Sequence, residues 1–140
     1  MEENIRKQNQ KEWFLFLSVQ KYLVEKNFDW LKLSINEKSK ALLGKGDLWI
    51  DGVKYKIILS YSPFHKFRYD RIFIKDKSIQ YTKDNHLYGD NSLCLYHPHI
   101  DKPLFQIIPL IRMIPWISEW ILWYNYWKKY KVWLGDEIKH

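Results

Sequence analysis

The chain has 140 residues, 46% of them hydrophobic, which is enough for one domain over 1–140 with a core of its own. Its single cysteine excludes an internal disulfide framework and any cysteine-based zinc cluster. The net charge of +7 comes from lysines scattered in short groups, so it reads as a solvated surface rather than a nucleic-acid footprint.

The first residues, Met-Glu-Glu-Asn-Ile-Arg-Lys, are charged and lead into no apolar signal run. Export is therefore not expected, and a cytoplasmic, reducing location follows in which a thiol stays reduced. From about Asn4 to Asn27, Trp13, Phe16, Leu17 and Leu23 recur at spacings near three and four, which predicts a helix. Between Phe28 and Ser39 the helical period fades, and a connector is expected.

Ala41 to Ile50 reads as a strand ending at Asp51-Gly52, a tight-turn dipeptide suited to a hairpin. The next strand follows at once, with Val53, Tyr55, Ile57, Leu59 and Tyr61 alternating onto one face until Ser62-Pro63 closes it. Tyr69 to Ile74 gives a third strand. Short intervals with hairpin punctuation predict an antiparallel meander, not a parallel sheet.

Ile79 to His99 keeps no period and is rich in Asn, Asp, Gly, His and Tyr, as expected of a long structured loop carrying function. A helix is predicted from Pro115 to about Tyr130, with proline in its first turn and lysines at its end. Charge is sparse from Pro103 to Trp127, but Pro109, Pro115, Arg112 and Glu119 interrupt the run, so a membrane span is not expected. Trp116, Trp120, Trp123 and Trp127 fall along one helical stripe suited to packing on the sheet. Tyr124 and Tyr126 point elsewhere on that helix and are candidates for partner contact. Helix, meander, loop and helix together make an α+β domain.

Cys94 stands in His86-Leu-Tyr88-Gly-Asp90-Asn91-Ser-Leu-Cys94-Leu-Tyr-His97-Pro98, a turn-rich approach to one sulfur. A thiol among imidazoles can be a nucleophile, because the thiolate is the reactive species and nearby cations favour it. It can equally be a small buried space-filler. His86 can act as base or lower the thiol pKa, or it can simply pin the loop by hydrogen bonds. His97 is a weaker candidate, with Pro98 fixing its backbone direction. Tyr88 and Asp90 are read as loop-orienting, and Asn91 is an amide donor able to meet an oxyanion. Cys94-x-x-His97-x-His99 lacks a partner cluster, so no metal site and no cofactor are expected.

These residues carry a resemblance to the ubiquitin-conjugating enzyme fold, in which a helix and a meander precede a loop bearing a His-Pro-Asn signature and then the catalytic cysteine. The chain is more closely similar to the stand-alone bacterial members encoded in short type II CBASS anti-phage systems. The shared features are His-x-Tyr-x-Asp-x-x-Leu-Cys-Leu-Tyr from His86, Pro115-Trp116-Ile-Ser-Glu119-Trp120, and the terminal Trp133-Leu-Gly135-Asp-Glu137-Ile-Lys-His140. The likeness covers about Trp49 to His140, and the first helix by position only. It implies acyl transfer, with Cys94 forming a thioester to the C-terminus of a partner cGAS-like nucleotidyltransferase. The His-Pro-Asn triplet is absent, and His86 stands where eukaryotic enzymes carry the asparagine, so ordinary lysine ligation is not implied. A non-catalytic module of the same fold that merely holds the nucleotidyltransferase is the alternative.

Overall fold

A computed structural model describes residues 12–63, 70–80, 82, 85–95 and 107–133. Its elements are α1 (Trp13–Asn27), β1 (Leu31–Asn36), β2 (Ala41–Ile50), β3 (Val53–Tyr61), β4 (Asp70–Ile74) and α2 (Leu110–Tyr130). The strands form one antiparallel sheet in the order β1-β2-β3-β4. This is the expected α+β arrangement of helix, meander and helix, with a fourth strand added.

The added strand corrects the reading of 28–39 as a connector. Leu31, Leu33 and Ile35 alternate with Lys32 and Ser34, and β1 pairs along its whole length with β2, from Leu31↔Gly46 to Asn36↔Ala41. The period changes from helical to two at Trp30, where a fading helical signal hides a short strand. Glu25, near the end of α1, reaches across to accept the Leu33 N–H at 2.9 Å, so the helix holds its own neighbouring strand.

β2 and β3 form the expected hairpin, with Ile50 opposite Val53 and with Asp51 and Gly52 at φ 50° and 77°. Positive φ at both turn residues matches the right-handed twist of the strands it joins. The inner face is lined by Leu31, Leu33, Leu42, Ile57, Leu59, Tyr61, Ile72 and Ile74, all buried. Against them lie Leu17 and Val24 of α1 and the long buried stripe of α2. Tyr61 donates its hydroxyl to the Ile108 carbonyl at 2.7 Å, anchoring the entry to α2 on the end of β3.

α2 begins five residues before the predicted start. Pro109 is its extended cap, and Pro115 lies inside the helix. A proline there removes the bond to the Ile111 carbonyl and costs about 3 kcal/mol. Burial of Leu110, Met113 and Ile114 in the first turns, at about 1.5–3 kcal/mol each, outweighs it. The buried stripe is also offset from the tryptophan stripe. It runs through Met113, Ile114, Ile117, Trp120, Ile121 and Tyr124, while Trp116, Trp123 and Trp127 pack only partly against the core. Among the described residues, no helix is long and apolar enough to cross a membrane.

The start of the predicted first helix (from Asn4), Tyr69 at the start of the predicted third strand, and His97 and His99 lie outside the described residues.

Candidate functional site

Residues 86–94 fold into a minimal hairpin within the stretch read as an irregular loop. Leu87 bridges Leu93 in antiparallel sense, Tyr88 N–H donates to the Ser92 carbonyl at 2.9 Å, and Cys94 N–H donates to the His86 carbonyl at 3.1 Å. The loop is Gly89-Asp90-Asn91, closed by Asn91 N–H to the Tyr88 carbonyl at 2.8 Å, with Asn91 at φ 68°. A turn followed by one left-handed residue is the usual three-residue hairpin loop, and asparagine tolerates that conformation well. Leu87 and Leu93 are buried, and Leu93 N–H donates to the Ile72 carbonyl at 2.7 Å, docking the hairpin on β4.

This pairing gives the eight-residue spacing a physical meaning. With Leu87 opposite Leu93, His86 and Cys94 become directly opposed across the hairpin, joined by a backbone hydrogen bond. The histidine eight residues before the cysteine is thus its cross-strand neighbour along the backbone. Cys94 is 8% exposed, at the margin of the core rather than on an open surface.

His86 is held from two further directions. Its carbonyl also accepts the Trp120 indole N–H at 2.9 Å, and its ring lies on Trp133 with centroids 4.6 Å apart and planes 17° from parallel. Trp120 and Trp133 themselves meet at 5.8 Å. His86 takes φ 51°, a conformation uncommon outside glycine but one that histidine, like asparagine, adopts more readily than most residues, and these contacts hold it there. Sequence reasoning did not find Trp120 and Trp133 as site residues. Their place in the Trp-rich helix and in the terminal motif was the available signal.

Asp90 sits at the hairpin tip, in contact with Ser92 and Arg71. One carboxylate oxygen accepts both the Ser92 N–H at 2.9 Å and the Ser92 hydroxyl at 2.5 Å, and the other lies 3.3 Å from Arg71 Nε on β4. Asn91 directs its amide nitrogen to Gln80 Oε1 at 3.3 Å, which gives it a turn-building part. Asn85, 1% exposed, donates to the Gln80 carbonyl at 2.7 Å and accepts the Thr82 N–H at 3.0 Å, fixing the approach to His86. Tyr88 is half-buried and contributes its backbone to the hairpin.

Of the two tyrosines expected to face a partner, only Tyr126 is exposed. Tyr124 is 8% exposed and stacks on Trp120 at 4.9 Å, because the core stripe runs through it. Burial, followed by the Asp76 carboxylate, pushes its phenol pKa above the ordinary 10.0. Among the described residues no cluster of three or more His, Cys, Asp or Glu is placed to hold a metal.

A family model described as type II CBASS E2 protein matches residues 20–140, most of the chain and all of the hairpin, and the chain belongs to that family. No curated protein and no solved structure matches it.

Proposed function

We propose that this type II CBASS E2 protein is an acyl carrier, with residues 1–140 forming one ubiquitin-conjugating-like domain and Cys94 as the thioester-forming nucleophile. The observation that carries the reading is the backbone pairing of Cys94 with His86 in a hairpin braced by Trp120, Trp133 and Asp90. A rigid hairpin holds a nucleophile and a proton acceptor in fixed relation, which is what nucleophilic catalysis asks of its scaffold.

In the proposed step the Cys94 thiolate attacks the carbonyl carbon of a protein C-terminus presented as an activated acyl, a mixed anhydride or another thioester. The C–S bond forms, the bond to the leaving group breaks, and the leaving group keeps the electron pair. The thiol proton passes to the His86 imidazole or to water. A nucleophile then takes the acyl group and returns the sulfur. The partner inferred from the family is the cGAS-like nucleotidyltransferase of the same system, in the reducing cytoplasm. Tyr126 is one of the exposed aromatics able to meet it.

The burial of Cys94 favours a second reading, a non-catalytic module that holds the nucleotidyltransferase. Anti-phage protection by the complete operon separates the two. The carrier loses protection in Cys94→Ala and retains partner binding, whereas the module keeps both.

A further inference from the structure

We infer that the outward ridge of α2 pairs with the same ridge of a second copy of this chain, the two helices lying antiparallel. The core stripe of α2 runs through Met113, Ile117, Trp120, Ile121 and Tyr124. On the opposite side Glu119, Leu122, Tyr126 and Lys129 follow one another at spacings of three, four and three. All four are solvent-exposed, Leu122 at 50% and Tyr126 at 36%. Alternation of three and four is the spacing of a helix–helix seam.

Symmetry is what points to a second copy. The ridge reads acid, apolar, apolar, base, and its spacing is the same in both directions. A two-fold axis level with Tyr124 therefore sets Glu119 opposite Lys129 of the second copy and Leu122 opposite Tyr126 of the second copy. Each contact is then made twice, as a closed dimer requires. The flanks match too. The same axis brings Tyr130, 53% exposed, across from Ser118, and Trp123 across from Asn125, a larger side chain against a smaller one each time. A parallel arrangement would set Glu119 against Glu119 and Lys129 against Lys129, so charge selects the antiparallel one. Within one chain these two charges stand about 15 Å apart along the helix. Among the described residues neither forms an ion pair. Lys129 lies over the Tyr130 ring at 5.2 Å, which keeps its ammonium on the ridge.

The seam is short. Pro115 stands one step before Glu119 in the same series, and the helix ends at Tyr130, before the next step at Trp133. So small an interface belongs with the weak, transient ones, and a dissociation constant of about 10–300 µM follows. Pairing of this kind is independent of any chemistry at Cys94, and a nucleotidyltransferase docked on Tyr126 would displace it.

Sedimentation equilibrium of the full chain from about 5 to 500 µM tests the pairing. The protein should pass from monomer to dimer across that range, and Leu122→Asp should stay monomeric. Glu119→Lys and Lys129→Glu should each weaken the dimer about tenfold, because each creates two like-charge contacts. An equimolar mixture of those two variants should regain affinity to within about threefold of the original, since both charge pairs are then restored. Recovery on mixing cannot come from a folding defect. A monomer at every concentration, a dimer indifferent to Leu122→Asp, or a mixture that pairs no better than its components would overturn the proposal. So would a dimer broken instead by Val19→Asp on the exposed face of α1.

Discussion

The indole of Trp120 links α2 to the backbone of the cysteine hairpin, and Trp120→Phe tests that link. The substitution keeps an aromatic ring against Tyr124 but removes the N–H that reaches the His86 carbonyl at 2.9 Å. That carbonyl still receives the Cys94 N–H, so it is not orphaned, and the loss is that of one neutral hydrogen bond, about 0.5–1.5 kcal/mol. The smaller ring leaves a void on the order of 40 Å³, which at about 24 cal/mol per Å³ adds about 1 kcal/mol. The expected destabilisation is therefore about 1.5–2.5 kcal/mol, read as a lower urea midpoint at unchanged slope. The same variant should change the rate of Cys94 alkylation several-fold and move its pH profile, because His86 loses one of its braces. A shift below about 0.5 kcal/mol with an unchanged alkylation profile would refute the claim that the indole positions the hairpin.

Further tests address the sheet, the hairpin tip and acid stability. In Gly46→Ala the new Cβ would lie 2.1 Å from the Trp30 carbonyl oxygen, a backbone atom, whereas in Gly44→Ala it would meet the Leu33 Cδ2 methyl at 2.4 Å. Gly46→Ala should destabilise by about 3 kcal/mol or more, and Gly44→Ala by about 1–2 because a methyl can turn aside; equal midpoints in urea would contradict this. Arg71→Met removes a half-exposed ion pair and should change stability by under about 1 kcal/mol. It should also speed Cys94 alkylation by loosening the hairpin tip, and an unaltered rate would show that the pair orients nothing. Glu25 is held below its usual 4.5 by the Lys21 ammonium and the Leu33 N–H, and Asp76 below its usual 3.8 by Ser78. Both protonate first in the unfolded chain, so their stabilisation is present above those values and is lost as pH falls through the folded ones. Urea midpoints measured against pH should fall on the acid side below about 4.5, and less steeply in Glu25→Gln.

Much of this architecture is legible in the chain. Asp51-Gly52 marks its hairpin because few other dipeptides accept two positive φ values, and Tyr55 to Tyr61 alternate as a strand with one buried face must. β1 is hidden because three apolar positions directly after a helix resemble its tail. The early start of α2 is hidden because a proline normally marks a first turn, and only burial of Leu110, Met113 and Ile114 shows why it does not here. At the site, the sequence separates His86 from Cys94 by eight residues and is silent on whether they meet. The left-handed Asn91 decides it by closing the hairpin that sets them opposite each other. The contribution of Trp120 and Trp133 depends on tertiary placement, which their positions in the Trp-rich helix and the terminal motif signal only indirectly.

The central claim is that Cys94 carries an acyl group. The most direct measurement is the intact mass of this protein purified without reductant after co-expression with the cGAS-like nucleotidyltransferase proposed as its partner. A covalent adduct of the partner's mass, removed by hydroxylamine and missing in Cys94→Ala, is the predicted result. Unmodified mass in a stable complex, unchanged in Cys94→Ala, would contradict the carrier and leave a binding module.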